Sequence, residues 1–460
     1  MTATPSDRRP SRWQNWWEAV LIYRQPRVLA MLFLGFSAGL PFMLVFQTLS
    51  AWLRQAGIER ATIGMLAWVG IVYSIKFLWA PVVDRLRLPL LHRLLGRRRS
   101  WMLLAQIAVA LGLLNLAHAD PAANIEAVAL LALFIAFSAA TQDIALDAWR
   151  IESAPPEMQG GMAAAYQLGY RIAIMTGTAG ALWIAADLGW RAAYSTMAVL
   201  MGVGVVTTLL VREPAIVAEA VAKQERVVAW LAARAHWPTP LRAAGGWFVG
   251  AVVEPIVDFF RRYGLGLGLL LFAFIGSYRM SDYAMGVMAN PFYLDQGYTL
   301  KQVATIVKVL GIAASMVGVL VGGTLVARFG VVRSLIIGSL LLMVSHLSFA
   351  VLAATGQPLV VGLGVVNVID FMALSIHGTA LIAFLSSLTS SRYTATQYAV
   401  LSSLYALPGK LLMGTSGFVV DAINYPAFFV YTAALNIPAL LLLYWLVRRM
   451  PIEGSVPAKA

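Results

Sequence analysis

The sequence predicts an all-α polytopic membrane protein of about 12 transmembrane helices, arranged as two six-helix, pseudo-symmetric bundles. Three observations carry this. Of 460 residues, 60% are hydrophobic and only 12% are charged, with a mean hydropathy of +0.77, far more apolar than a soluble domain. Apolar runs long enough to cross a bilayer come as six, then a polar interval, then six more. The second set also echoes the first, since Tyr166 to Arg171 is matched by Tyr405 to Lys410, with a cation closing each.

The runs fall at 28–53, 61–83, 100–118, 126–149, 159–186 and 191–211, forming a first bundle over 28–211. They resume at 265–292, 301–326, 332–353, 358–388, 395–422 and 426–447, a second bundle over 265–448. An even number of crossings puts both termini on one side, and positive charge says which. That side holds 25 of the 34 Lys and Arg residues, including Arg97 to Arg99, Arg261 and Arg262. The opposite side has four: Arg54, Arg60, Arg191 and Lys301. Both termini are therefore expected in the cytoplasm. The net charge of +13 belongs to this topology and to contact with anionic membrane lipids, not to nucleic acid.

The tail 1–27 is basic and carries Trp13, Trp16 and Trp17, which suits an interfacial anchor. It lacks a short apolar stretch with a small-residue cleavage site, so the first run is expected to be retained as a span. The interval 212–264 reads as a cytoplasmic loop, with a solvated segment at 213–236 and an amphipathic interfacial helix at 247–262. Glu254 and Asp258 argue against a thirteenth span there. A second cytoplasmic tail follows at 449–460. With no cysteine and five scattered histidines, no disulfide, metal centre or cofactor is expected.

Ionisable groups inside apolar runs are costly unless they face water or a partner, so they mark function first. They are Lys76 in the second run, Asp143 and Asp147 in the fourth, Arg171 in the fifth, Arg279 and Asp282 in the seventh, Lys308 in the eighth, Asp370 in the tenth and Lys410 in the eleventh. The third, sixth, ninth and twelfth runs carry no formal charge beyond Arg191 and Arg333 at the mouths of the sixth and ninth, although His346 falls in the ninth. Asp143 and Asp147, at i and i+4, share a helix face about 6 Å apart, close enough to hold one proton between them. Asp143 is the expected proton-coupling site, against an ion pair with Lys76 or Arg171. Asp147, one turn nearer Arg150, stands between proton carrier and gate latch. Arg279 and Asp282, at i and i+3, can pair with each other.

Gln47, Tyr73, Gln142, Gln167, Tyr170, Asn290, Asn367 and His377 are candidate polar contacts of a substrate cavity. The plainer alternative is that each bonds to a neighbouring helix. Gly35, Gly39, Pro41 and Pro408-Gly409 can serve either as hinges or as sites of close helix packing. A membrane-embedded acyl or glycosyl transferase would need a catalytic constellation near a loop, and none is evident, so a transporter is expected and not an enzyme. A non-transporting sensor would bind without flux.

Two six-span repeats about an axis along the membrane normal, with every third span uncharged, resemble the major facilitator layout. Asp84-Arg85 followed by Gly96-Arg97-Arg98-Arg99 is answered in the second half by Gly323, Arg328, Gly330 and Arg333. Asp84, Arg85, Arg97 and Arg98, with Arg150, resemble that superfamily's cytoplasmic gate, in which an Asp contacts a neighbouring helix N-terminus and lets go as the transporter opens inward.

Five motifs together are more specific: Phe36-Ser37-Ala38-Gly39-Leu40-Pro41; Lys76-Phe77-Leu78-Trp79-Ala80-Pro81 with Asp84-Arg85; Gln142-Asp143-Ile144 with Asp147-Ala148-Trp149; Leu168-Gly169-Tyr170-Arg171; and Thr394-Ala395-Thr396-Gln397-Tyr398-Ala399. They resemble the AmpG-type muropeptide permeases from Arg24 to about Tyr444. The resemblance implies proton-driven import of N-acetylglucosaminyl-anhydro-N-acetylmuramyl peptides across the bacterial inner membrane for peptidoglycan recycling, with a link to β-lactamase induction. The chain departs from that family's pattern at Asp370, where Glu is expected, at Lys410, where Arg is, and at Arg279, where Lys is. Charge is kept but geometry changes, which bears on the peptide stems accepted. Acetyl-CoA transporters look like distant relatives, so another anionic cargo is the alternative.

Overall fold

The computed structural model describes residues 21–59, 62, 66–214, 225–390, 393–413 and 415–449. Trp13, Trp16 and Trp17, and the side chains of Lys308 and Lys410, lie outside what is described.

Among the described residues, nine stretches are long and apolar enough to cross a membrane. Gly189, at φ 82°, divides 156–210 into two helices, and Asn424, at φ 62°, divides 416–449. With the broken segment 66–85 and the helix Thr394–Met413, twelve crossings result. They are α1 (Pro26–Gln55), α2 (66–85), α3 (Arg97–Ala117), α4 (Ile125–Ser153), α5 (156–188), α6 (190–210), α7 (265–295), α8 (300–329), α9 (Val331–Ala354), α10 (Val360–Leu388), α11 (394–423) and α12 (425–449).

The local signals follow physical rules. Pro26 occupies the first turn of α1, where a missing N–H costs nothing. The Asn124 side chain accepts from Ala127 N at 2.9 Å to cap α4. Glu213, beyond α6, accepts from the backbone N–H groups of Arg98 and Arg99 at 2.7 and 3.1 Å, a carboxylate at the positive end of α3. The repeat shows in the turns as well. Gly57 and Gly297, with φ of 84° and 91°, end α1 and α7, while Gly96 and Gly330, with φ of 82° and 79°, open α3 and α9. These left-handed positions disfavour side chains bearing a Cβ.

Segment α2 is the irregular one. It runs as short turns, Ile71–Ser74, Lys76–Leu78 and Ala80–Arg85, and Pro81 has no N–H to offer the carbonyl of Phe77. The linker also differs from the sequence reading. Its helix begins at Thr239, not 247, and continues to 263, where Gly264 (φ 74°) turns the chain into α7. The Thr239-Pro240 start, with Pro in the first turn, supplies a signal that the apolar face alone did not.

Within the first bundle, α1 and α5 pack through glycine. A Cβ on Gly35 would lie 2.2 Å from the Tyr166 carbonyl oxygen, and one on Gly169 would lie 1.9 Å from that of Leu32. Close packing thus accounts for Gly35 and Gly39, the latter against Tyr170.

Candidate transport cleft and its gate

The two bundles meet tightly at the end that carries the described chain ends. There α5 and α8 touch through Gly160 and Gly323, where an added Cβ would come within 2.5 Å of Val326 and 2.6 Å of Ala164 respectively. The hydroxyl of Tyr23 donates to Leu320 O at 2.8 Å, and Gln167 Nε2 donates to Thr379 Oγ1 at 2.6 Å.

The candidate gate is a set of contacts around Asp84, on the last turn of α2. Its Oδ2 accepts from Thr396 N at 2.9 Å and Thr396 Oγ1 at 2.8 Å, at the N-terminus of α11 in the other bundle. Its Oδ1 meets Arg98 Nη2 at 2.7 Å, and Arg98 also pairs with Glu152 at 2.5 Å. Arg97 donates to Asp84 O and approaches Glu152 at 3.6 Å. Three donors to one buried carboxylate form a charge-assisted latch between the halves. Arg85 donates to Gly250 O of the linker helix, and Gln397 of α11 reaches the same helix at Pro255 O and Asp258.

Arg150 extends the latch toward the centre. Fully buried, it donates to Ser386 Oγ of α10 at 2.8 Å and Gln159 Oε1 at 3.3 Å, and lies 5.2 Å from the Tyr398 ring. Its other contact is Asp147, at 3.4 Å, and Asp147 meets Lys76 Nζ at 3.7 Å. Asp147 therefore has two cations. Asp143, one turn up, has none in contact among the described residues, and its Oδ1 is shut from solvent with no hydrogen-bond partner. The structure thus assigns the ion pair with Lys76 to Asp147, not to Asp143, while Lys76 stays within electrostatic reach of both.

Beyond this layer the bundles part. The outer half of α1 packs on its own bundle, with Thr48 bonded to Gly177 O at 2.6 Å and Trp52 stacked on Trp190. The outer half of α7 does likewise, with Phe292 against Phe429 and Asp295 bonded to Tyr425. Where the bundles part, Tyr73, Lys76, Asp143, Tyr170 and Arg171 of the first and Arg279, Tyr283 and Tyr405 of the second are partly exposed, and these residues make up the candidate cleft. Arg279 is bidentate to Asp282 Oδ2 at 2.8 and 2.5 Å and sits over the rings of Tyr283 and Tyr405 at 5.1 and 5.5 Å. Polar groups with aromatic faces suit a sugar- or amide-bearing solute.

Several sequence candidates lie elsewhere. Gln142 is fully buried and donates to Ser37 Oγ at 2.6 Å. Asn367, also fully buried, accepts from Tyr293 OH at 3.0 Å. His377 bonds to Tyr278 O at 3.0 Å and stacks on that ring at 3.9 Å. These three hold helices together within a bundle and do not line the cleft. Asp370 is buried and accepts from Ser345 Oγ at 2.6 Å. Gln47 and Asn290 are exposed. Sequence reasoning missed Glu152, Glu213 and Ser386; Glu152 could have been found three residues beyond Trp149, at the end of the same helix.

A twelve-helix bundle split into halves, latched at one end around an acidic residue and parted at the other, is the architecture of a membrane transporter. The Major Facilitator Superfamily model matches residues 31–413, and the chain belongs to that superfamily. The fold agrees with the proton:xylose symporter XylE (TM-score 0.60, 13% identity, 95% of this chain and 96% of that one) and the E. coli fucose:proton symporter FucP (TM-score 0.63, 13% identity, 91% and 97%). Closer in sequence are the anhydromuropeptide permease of Escherichia coli K12, 34% identical over 94% of this chain and 82% of the relative, and the putative transporter AmpG 4 of Rickettsia felis, 30% identical over 94% and 99%. Within the superfamily this is an AmpG-type permease.

Proposed function

We propose that this chain is a proton-coupled importer that carries anhydro-muropeptides across the bacterial inner membrane for peptidoglycan recycling, with both termini in the cytoplasm. The observation that carries the coupling is Asp143, a carboxyl group in the cleft whose Oδ1 has no donor, beside a lysine already engaged by Asp147. A buried carboxylate without a donor is costly, and a proton removes that cost. The cargo reading is supported by the similarity to the anhydromuropeptide permease of E. coli and by a cleft that offers cations, hydroxyls and aromatic faces. The asymmetry of Lys and Arg supports the orientation, which makes the present conformation outward-open.

In this scheme cargo enters from outside, Asp143 takes a proton, and the Asp84 latch lets go as the far end closes. Loading by both ligands precedes the switch, so neither leaks alone. Uptake into right-side-out or reconstituted vesicles tests the cargo. Labelled disaccharide-tripeptide is expected to enter in a saturable manner, with acetyl-CoA at background. Saturable entry of acetyl-CoA with the muropeptide at background would reverse the assignment in favour of the other anionic cargo.

A further inference from the structure

Among the membrane-buried cations whose side chains are described, Arg171 is the one without a carboxylate. Arg150 and Lys76 are paired with Asp147, and Arg279 with Asp282. Arg171 has no carboxylate or hydrogen-bond partner among the described residues, and its side chain is partly open to the cleft. Across the seam it meets a charge of the same sign, Arg279 on α7. Gln167, one turn before Arg171, donates to Thr379 of α10, and His377 of that helix bonds to the carbonyl of Tyr278, the residue before Arg279. So α5 and α7 bring the two cations to one level, where the guanidinium groups repel. Tyr170 on one side and Tyr283 and Tyr405 on the other flank the pair with ring faces and hydroxyls.

Two like charges on opposed bundles oppose closure of the far end unless an anion enters between them. Guanidinium is also the group best shaped to bind a carboxylate through two parallel N–H donors. We infer that Arg171 and Arg279 form a split carboxylate subsite, half on each bundle, which a carboxylate of the cargo's peptide stem completes and which draws the far end shut. This rests on the muropeptide reading for the identity of the anion, and on the structure alone for the pair. It also gives the cargo a differential affinity for the closed state, which any ligand-driven switch requires. Arg279 arrives half-neutralised by Asp282, whose Oδ1 has no partner. The unpaired Arg171 therefore dominates the selection for an anion.

The test has two arms. In the first, purified protein in nanodiscs is titrated with a labelled anhydro-muropeptide and with the same molecule whose stem carboxylates are converted to amides. Wild type is expected to prefer the carboxylate form by about 10- to 100-fold, the scale of a charge-assisted bidentate pair. Arg171→Gln is expected to reduce that preference to less than about 3-fold while binding the amidated form at least as tightly as wild type, because the repulsion that opposes closure is gone; that binding also reports that the variant is folded. Arg171→Lys restores part of the preference. An Arg171→Gln protein that keeps the full preference overturns the subsite.

The second arm needs no cargo. The chain has no cysteine, so spin labels at Arg54→Cys and Leu294→Cys, both exposed at the far end, read the separation of the bundles. Arg171→Gln is expected to enlarge the short-distance population, and an unchanged distribution overturns the repulsive pair. Should wild type bind neither form of the muropeptide, the cargo assignment falls, and these cargo-free distances alone decide the pair.

Discussion

Asp143→Asn is expected to abolish uphill uptake while the protein still inserts, binds cargo and exchanges it across the membrane. An amide has the shape of a protonated carboxyl group but cannot give up a proton, so the variant is fixed in the loaded state. Each unit of pH gradient supplies about 1.4 kcal/mol per coupled proton, a tenfold accumulation. Wild type should therefore concentrate cargo about tenfold per proton under a one-unit gradient, and the variant, unable to return without cargo, should show no net accumulation. Counterflow of labelled against unlabelled cargo should persist in Asp143→Asn, because exchange needs no net proton movement. Unchanged gradient-driven accumulation in the variant would remove Asp143 from the coupling. Asp147 offers a contrast, since Lys76 and Arg150 already compensate its charge, and its replacement should disturb the seam between α4 and α10 through Arg150.

Asp84→Asn should slow turnover and leave cargo affinity nearly intact. The carboxylate joins the bundles at Thr396, 312 positions away in the chain, and is held by Arg98. Charge-assisted hydrogen bonds of this kind contribute about 1.5–3 kcal/mol, so the latched population should fall by about 10- to 100-fold relative to its competitor. The cleft residues are untouched, and Arg98 retains Glu152. The expected signature is a reduced maximal rate with little change in the Kd for cargo measured by direct titration. A loss confined to affinity would contradict a gating role for Asp84.

Much of this was legible in the sequence because it rests on local rules. Span number follows from apolar run length, and the divided helices at Gly189 and Asn424 fall between runs that the charge pattern had already separated. The Arg279–Asp282 pair is fixed by helical spacing. Asp84 and Arg98 were recognisable from their motif. What spacing cannot give is a partner on another helix. Lys76 could have met either carboxylate of α4, and the broken geometry of α2 around Pro81 brings it to Asp147. Gln142, Asn367 and His377 look like cavity groups in a linear chain, yet helix rotation turns each toward a neighbour in its own bundle. Glu213 looked like loop charge until the N-terminus of α3 appeared beside it.

The central claim is that cargo and proton move together through a cleft that opens to one side at a time. Proteoliposomes at equal internal and external pH, loaded with a pH-sensitive dye and given external anhydro-muropeptide, test it most directly. Wild type should acidify the lumen as cargo enters, in a fixed ratio, and Asp143→Asn, which cannot return without cargo, should exchange labelled cargo with neither net entry nor acidification. Cargo entry at the wild-type rate without any change in lumenal pH would contradict the account.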